Sequence, residues 1–332
     1  MIITNERENK LVKQLLVSNE PTIRLKTYLR LLDHDYETTE VKRIITKLKI
    51  ESPIISQLFS YLPIDKQSES VHVYTKWQGI HWILSSLADI GFPSGYESLK
   101  FSIDKELEWL LSDDHWERRP IINSRKRFCA SQEGNGLYSI LSLGLADERC
   151  DILAGRLMDY QWEDGGWNCD KKPEVRNSSY HESLIPLRSL NLYAEQKNNS
   201  KARNAVVKAS ELFLKRNLFR KISDNSIINQ RWILLYYPSY WHYDILTALK
   251  VLAEANKIMD SRCNEALDLI ESKRHADGGF PKEGSYCQTK DSSKRYFTPA
   301  NWGKINKKIM NEWVTIDVLY VLKKAKRIDI EY

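Results

Sequence analysis

Glycine and proline are scarce in this 332-residue chain, at 13 and 10 residues, or about 4% and 3% against globular averages of roughly 7% and 5%. With 10 Trp, 17 Tyr and 8 Phe, that scarcity excludes a low-complexity disordered chain and argues against a many-turned β-sandwich. No apolar run approaches the roughly 20 residues of a membrane-spanning helix; the densest, Trp232–Tyr237, is far shorter. The opening MIITNERENK has neither a basic n-region nor an apolar h-region, so no secretory signal is expected. The five cysteines are an odd, scattered set without a C-x-x-C pair. They read as free thiols in a reducing compartment, and the expected location is the cytoplasm. No G-x-G-x-x-G, G-x-x-x-x-G-K-[ST], G-x-S-x-G or kinase signature occurs, which leaves nucleotide and α/β-hydrolase readings without support. The net charge of +6 is spread along the chain, so no nucleic-acid footprint is expected. The densest basic cluster, Arg118, Arg119, Arg125, Lys126 and Arg127, could attract an anion such as diphosphate.

What the chain does contain is a degenerate repeat. Leu157–Trp167 and Leu269–Phe280 each read as the end of an apolar helix followed by Asp-Gly-Gly-aromatic, and their glycine pairs lie 113 residues apart. Two units of about 56 residues fit that spacing. The intermediate corner falls at Leu212–Phe219, without glycines, and earlier ones at Leu107–Trp116 and Ile54–Leu62. Each unit carries a second apolar helix: Trp77–Asp89, Gly136–Asp147, His181–Tyr193, Tyr243–Ala255 and Trp313–Ala325. In the fourth, Ile245, Leu246, Leu249 and Leu252 make one helical stripe. Pro186 should kink the third helix or mark its boundary. Residues 18–48 read as two short helices, with Pro21 near the first turn. The pattern predicts an all-α fold of helical hairpins with a period of 50–60 residues. Residues 1–70 are expected to form an N-terminal helical extension packed on one domain over 71–327. The polar stretch 282–308 is expected to be a lid or flexible insertion.

QWEDGGW (Gln161–Trp167), echoed at Asp277–Phe280, resembles the Gln-x-x-x-Gly-Gly-Trp corner of the terpenoid cyclase and protein prenyltransferase toroids. YTKW (Tyr74–Trp77), QWEDGGWNC (Gln161–Cys169), SSYHES (Ser178–Ser183), YPSYWHYDIL (Tyr237–Leu246) and NEWVTIDVL (Asn311–Leu319) resemble bacterial squalene-cyclase-like proteins of similar length, over roughly residues 15–327. The resemblance implies an α/α toroid, with inner helices wrapped by outer ones around an aromatic cavity for an isoprenoid or related hydrophobic substrate. Trp77, Trp82, Tyr180, Trp241, His242, Tyr243 and Trp313, at the inner-helix starts, are then the expected substrate-binding set, since aromatic faces stabilise carbocations. Asp244 is the expected general acid, its pKa raised by burial among aromatics; His181 and Glu133 complete the expected catalytic set. The cyclase acid motif Asp-x-Asp-Asp and the prenyltransferase Asp-x-Cys zinc motif are both missing, although Tyr180-His181 resembles the latter family's Tyr-His.

No cofactor is expected outright. Cys129, Cys169 and His181 are the weak zinc candidates, and Asp113-Asp114-His115-Trp116-Glu117 spells a DDxxE magnesium pattern that should face solvent at a repeat corner. The expected partner is a hydrophobic small molecule, with peripheral membrane contact left open. Two alternatives stand beside the enzyme reading. One is a catalytically degenerate toroid that binds a hydrophobic ligand or protein partner. The other is a carbohydrate-active α/α toroid using Glu133 and Asp244 as a pair about 5–10 Å apart.

Overall fold

The computed structural model describes residues 6–63, 65, 67, 71–287 and 297–331. In chain order the helices are α1 (Glu6–Leu16), α2 (Pro21–Arg30), α3 (Thr39–Glu51), α4 (Pro53–Phe59), α5 (Ile80–Ile90), α6 (Lys100–Leu111), α7 (Asp113–Trp116), α8 (Ala130–Ser142), α9 (Arg149–Asp159), α10 (Tyr180–Gln196), α11 (Ser200–Leu214), α12 (Ile245–Glu254), α13 (Asn264–Glu271) and α14 (Glu312–Lys324). Two small antiparallel ribbons accompany them, β1 (Ile121–Ile122) with β2 (Arg125–Lys126), and β3 (Pro281–Lys282) with β4 (Asn306–Met310). The mostly helical class and the two short N-terminal helices match the sequence pattern.

The chain divides into two compact units, one of residues 1–61, 227–239 and 244–332, the other of 62–226 and 240–243. In the second unit α5, α8 and α10 pack side by side, and α6, α9 and α11 pack on them as a second layer. The first unit repeats the scheme, with α2, α14 and α12 adjacent and α3 and α13 laid against them. Among the described residues no helix is long and apolar enough to cross a membrane.

The repeat corners are the same object twice. At the first, Gly165 N–H donates to Trp162 O and Trp162 N–H to Gly166 O; at the second, Gly278 donates to His275 O and His275 to Gly279 O. Gly165 and Gly278 have φ of 99° and 93°, a region open to glycine and costly for other residues. Each corner then buries its aromatic completely, Trp167 and Phe280. The aromatic's own N–H is held by a hydroxyl one turn into the following helix, Ser183 for Trp167 and Thr315 for Phe280, both at 3.0 Å. At the glycine-free corner the left-handed turn survives: Asn217 and Leu218 have φ of 41° and 70°, and Phe219 is buried.

Pro186 lies inside a continuous helix, not at a boundary. There α8 passes close at Gly134, where an added Cβ would sit 2.9 Å from the Pro186 nitrogen, so that position has room only for glycine. Of the 282–308 stretch, residues 288–296 lie outside the described residues, while Pro281 pairs with Met310 and Lys282 with Asn306. Lys282 and Trp302 are buried, so the described ends of that stretch are packed structure.

Candidate functional site

In the second unit three chain segments converge. Cys129 is the residue before α8 and Cys169 lies two residues past the Gly-Gly-Trp corner. Glu182 is in the first turn of α10. One thiol sulfur from each cysteine and a carboxylate oxygen of Glu182 lie within 4.8 Å of one another. Glu182 is buried; its Oε2 accepts from the Ser131 N–H at 3.0 Å, and its Oε1 lies 3.5 Å from the Cys169 sulfur. Burial raises its carboxyl above the usual range. The neighbouring Cys169 thiol lowers the pKa of Cys129, and the same contact, with burial, raises that of Cys169.

Two sulfurs and one carboxylate oxygen make a donor set of the chemistry that zinc prefers. Glu182, not named from the sequence, is the residue that stands with the two sulfurs. The imidazole of His181 is engaged elsewhere, its Nδ1 accepting the Tyr243 N–H at 2.8 Å, and burial lowers its pKa.

Beside this trio lies a pocket of about 650 Å³ whose lining includes Tyr74, Trp109, Asp113, Asp114, His115, Arg119 and Gln132. Tyr74 bonds the Gln132 side chain and feels the charges of Cys129, Glu182 and Cys169, which places pocket and trio together. Asp113 and Asp114 are exposed and Asp114 pairs with Arg118, in keeping with a corner position. His115 is buried, 3.6 Å from Glu133. Glu133 itself is fully buried and ion-paired to Arg156 at 3.2 Å, with Oε2 unpartnered.

The aromatics named from sequence fall into connected groups. Trp109 stacks on Tyr74 at 5.3 Å, Tyr74 meets Trp82, and Trp82 meets Trp77 edge-on at 4.7 Å. Trp77 stacks on Tyr240 at 4.3 Å and tilts toward His242, which stacks on Trp241; Trp241 in turn meets His181. Tyr180 and Tyr243 form a neighbouring group with Phe213. Trp77 and Tyr240, the stacked pair, both hold left-handed backbone at φ 66° and 53°, a strain that persists only where the surroundings over-determine it. Trp77, Trp82 and Trp241 each bury an indole N–H without a partner.

Sequence reasoning missed the group beneath this wall. His81 Nδ1 lies 2.6 Å from Glu106 and its Nε2 3.1 Å from the Asn135 amide. The Asn135 NH₂ can only donate, so the His81 proton is assigned to Nδ1, facing Glu106. The apolar frame Ile80–Leu84 hid this histidine.

The remaining predicted residues belong to the first unit. Trp313 stacks on Tyr237 at 5.1 Å and meets Trp302. Asp244 is fully buried and caps α12, accepting the Thr247 N–H at 2.9 Å and the Thr247 hydroxyl at 3.0 Å. Burial pushes its pKa up to about 7 against these bonds and the nearby Lys250. Asp317, also buried, bridges Lys26 and Lys250 at 2.8 Å each.

No family model and no curated protein matches the chain. Among solved structures, the unsaturated glucuronyl hydrolase of Bacillus sp. GL1 is similar at 12% identity, covering 93% of this chain and 85% of its own, with a TM-score of 0.44. The type II terpene cyclase MstE from Scytonema matches at 12% identity over 82% of this chain and 96% of its own, with a TM-score of 0.25. Neither reaches a TM-score of 0.5, and no activity is carried over from them.

Proposed function

We propose that the chain is an enzyme of the terpenoid cyclase or prenyltransferase kind, acting on an isoprenoid or related hydrophobic substrate. The observation that supports this reading is the aromatic assembly of the second unit, running from Trp109 through Trp82 and Trp77 to Trp241. Ring faces held in fixed tilts attract a developing carbocation by roughly 0.5–2 kcal/mol each, and their burial keeps water from quenching it. Asp244, in the first unit, is the proposed proton donor on the strength of its own burial. A carboxyl with a pKa near 7 retains a proton at neutral pH; passing it to an alkene carbon leaves an aspartate carboxylate and a carbocation. His181, whose pKa burial lowers, is the proposed proton acceptor beside Trp241. Incubation with isoprenyl diphosphates and with squalene, read by mass spectrometry, should show turnover, and Asp244→Asn should reduce it by about 10²-fold or more. Inertness toward the whole panel, with no co-purified lipid, would overturn the reading.

One observation favours the carbohydrate-active alternative, the mixed lining of the 650 Å³ pocket by Tyr74, Trp109, Arg119 and Gln132. Glu133, the carboxylate first paired with Asp244 for that role, is tied to Arg156. Cleavage of unsaturated or anionic oligosaccharides with no action on isoprenoids would select this reading instead.

A further inference from the structure

We propose that Cys129, Cys169 and Glu182 bind one zinc ion, with a fourth coordination position left for water or substrate on the side of the Tyr74–Gln132 pocket. The inference is independent of the substrate reading above. The spacing comes first. Zinc bonds of about 2.3 Å to sulfur and 2.0–2.2 Å to oxygen, at tetrahedral angles, place donor atoms roughly 3.3–3.8 Å apart. The Cys169 sulfur and Glu182 Oε1 already stand at 3.5 Å, and all three donors fall within 4.8 Å.

Charge comes second. Two thiols and a carboxyl, all acidic groups, face one another, with the charge of Arg119 acting on Glu182 from a distance. A buried carboxylate without a cation is costly, whereas a divalent ion compensates it, the two thiols releasing their protons to solvent as they become thiolates. Two sulfurs select zinc over magnesium or calcium.

Anchoring comes third. Cys129 is fixed at the start of α8, Cys169 follows a corner pinned by the fully buried Trp167, and Glu182 is oriented by the Ser131 N–H. Three protein ligands are the count of a catalytic zinc, which keeps a position open, and not of a closed structural one.

The test uses the whole chain, purified under reducing conditions without chelator. Metal analysis should give one zinc per chain, and cobalt replacement should give the intense near-ultraviolet thiolate-to-cobalt absorption. Cys129→Ser and Cys169→Ser should each lose most of the metal. Glu182→Gln, which keeps the acceptor for Ser131, should lower zinc affinity at least tenfold in competition with a chromogenic chelator, and His181→Ala should keep full stoichiometry. A wild-type chain that takes up no zinc or cobalt on reconstitution would overturn the proposal whatever the variants do. So would a Cys129–Cys169 disulfide as the stable form, or zinc lost from His181→Ala but kept by Glu182→Gln. None of these readouts uses a substrate, so failure to turn over isoprenoids leaves the result intact.

Discussion

Asp244→Asn separates two roles of one carboxyl by the pH dependence of stability. In the folded chain its pKa is about 7, raised by complete burial, against an ordinary 3.8. The folded state therefore holds this proton more tightly than the unfolded state does. The resulting stabilisation is fully present below pH 3.8 and lost as pH rises through about 7; the interval corresponds to about 4 kcal/mol. Asparagine preserves the cap, since its side-chain oxygen accepts the Thr247 N–H as well as aspartate does, and it does not titrate. The Thr247 hydroxyl, now donating at 3.0 Å to Oδ2, must turn to accept from the asparagine NH₂, a small rearrangement. Denaturant unfolding followed by circular dichroism, at intervals from pH 4 to pH 8.5, should show the variant gaining on wild type by several kcal/mol across the range. Taking the difference at each pH removes every other titrating group. A flat difference would mean that Asp244 is ionised throughout, and the burial argument would fail with it; a uniform loss of about 1 kcal/mol would mean that the charge itself makes the cap.

Gly165→Ala forces a Cβ to within 2.2 Å of the Lys208 carbonyl oxygen at φ 99°, and thermal melting should show a loss of 2 kcal/mol or more, of the order of other backbone-strain substitutions. Gly155→Ala, in α9 with nothing within 4 Å of the new Cβ, should by contrast stabilise by about 0.5–1 kcal/mol. Asp317→Asn leaves Lys26 and Lys250 buried without their shared carboxylate and should cost about 3–5 kcal/mol in denaturant unfolding; a loss below 1 kcal/mol would show that the lysines find water. Thr315→Val, which keeps shape but removes the acceptor of the Phe280 N–H, should cost about 1–3 kcal/mol, and Ser183→Ala should cost a similar amount at the equivalent corner.

The features legible in the sequence were those that a single segment encodes. Asp-Gly-Gly-aromatic announces its corner because positive φ at Gly165 and Gly278 demands the residue that the eye then finds. The third corner was placed only by arithmetic, since Leu218 takes the same conformation at φ 70° with no glycine to advertise it. Groups assembled across segments were invisible. His81, Glu106 and Asn135 come from three helices, and the lysines that share Asp317 from two others. The cysteine pair stands out because thiols are rare enough to count, whereas Glu182, the residue that stands with them, carries no such signal. Successive helical residues point about 100° apart, so the first turn of α10 cannot aim His181 and Glu182 in one direction. The structure turns His181 to the Tyr243 amide and Glu182 to Ser131 and Cys169. A motif search prefers the histidine for its chemistry; which of the two faces the sulfurs is decided by helix phase, in a helix that passes close to Gly134 at Pro186 a turn further on.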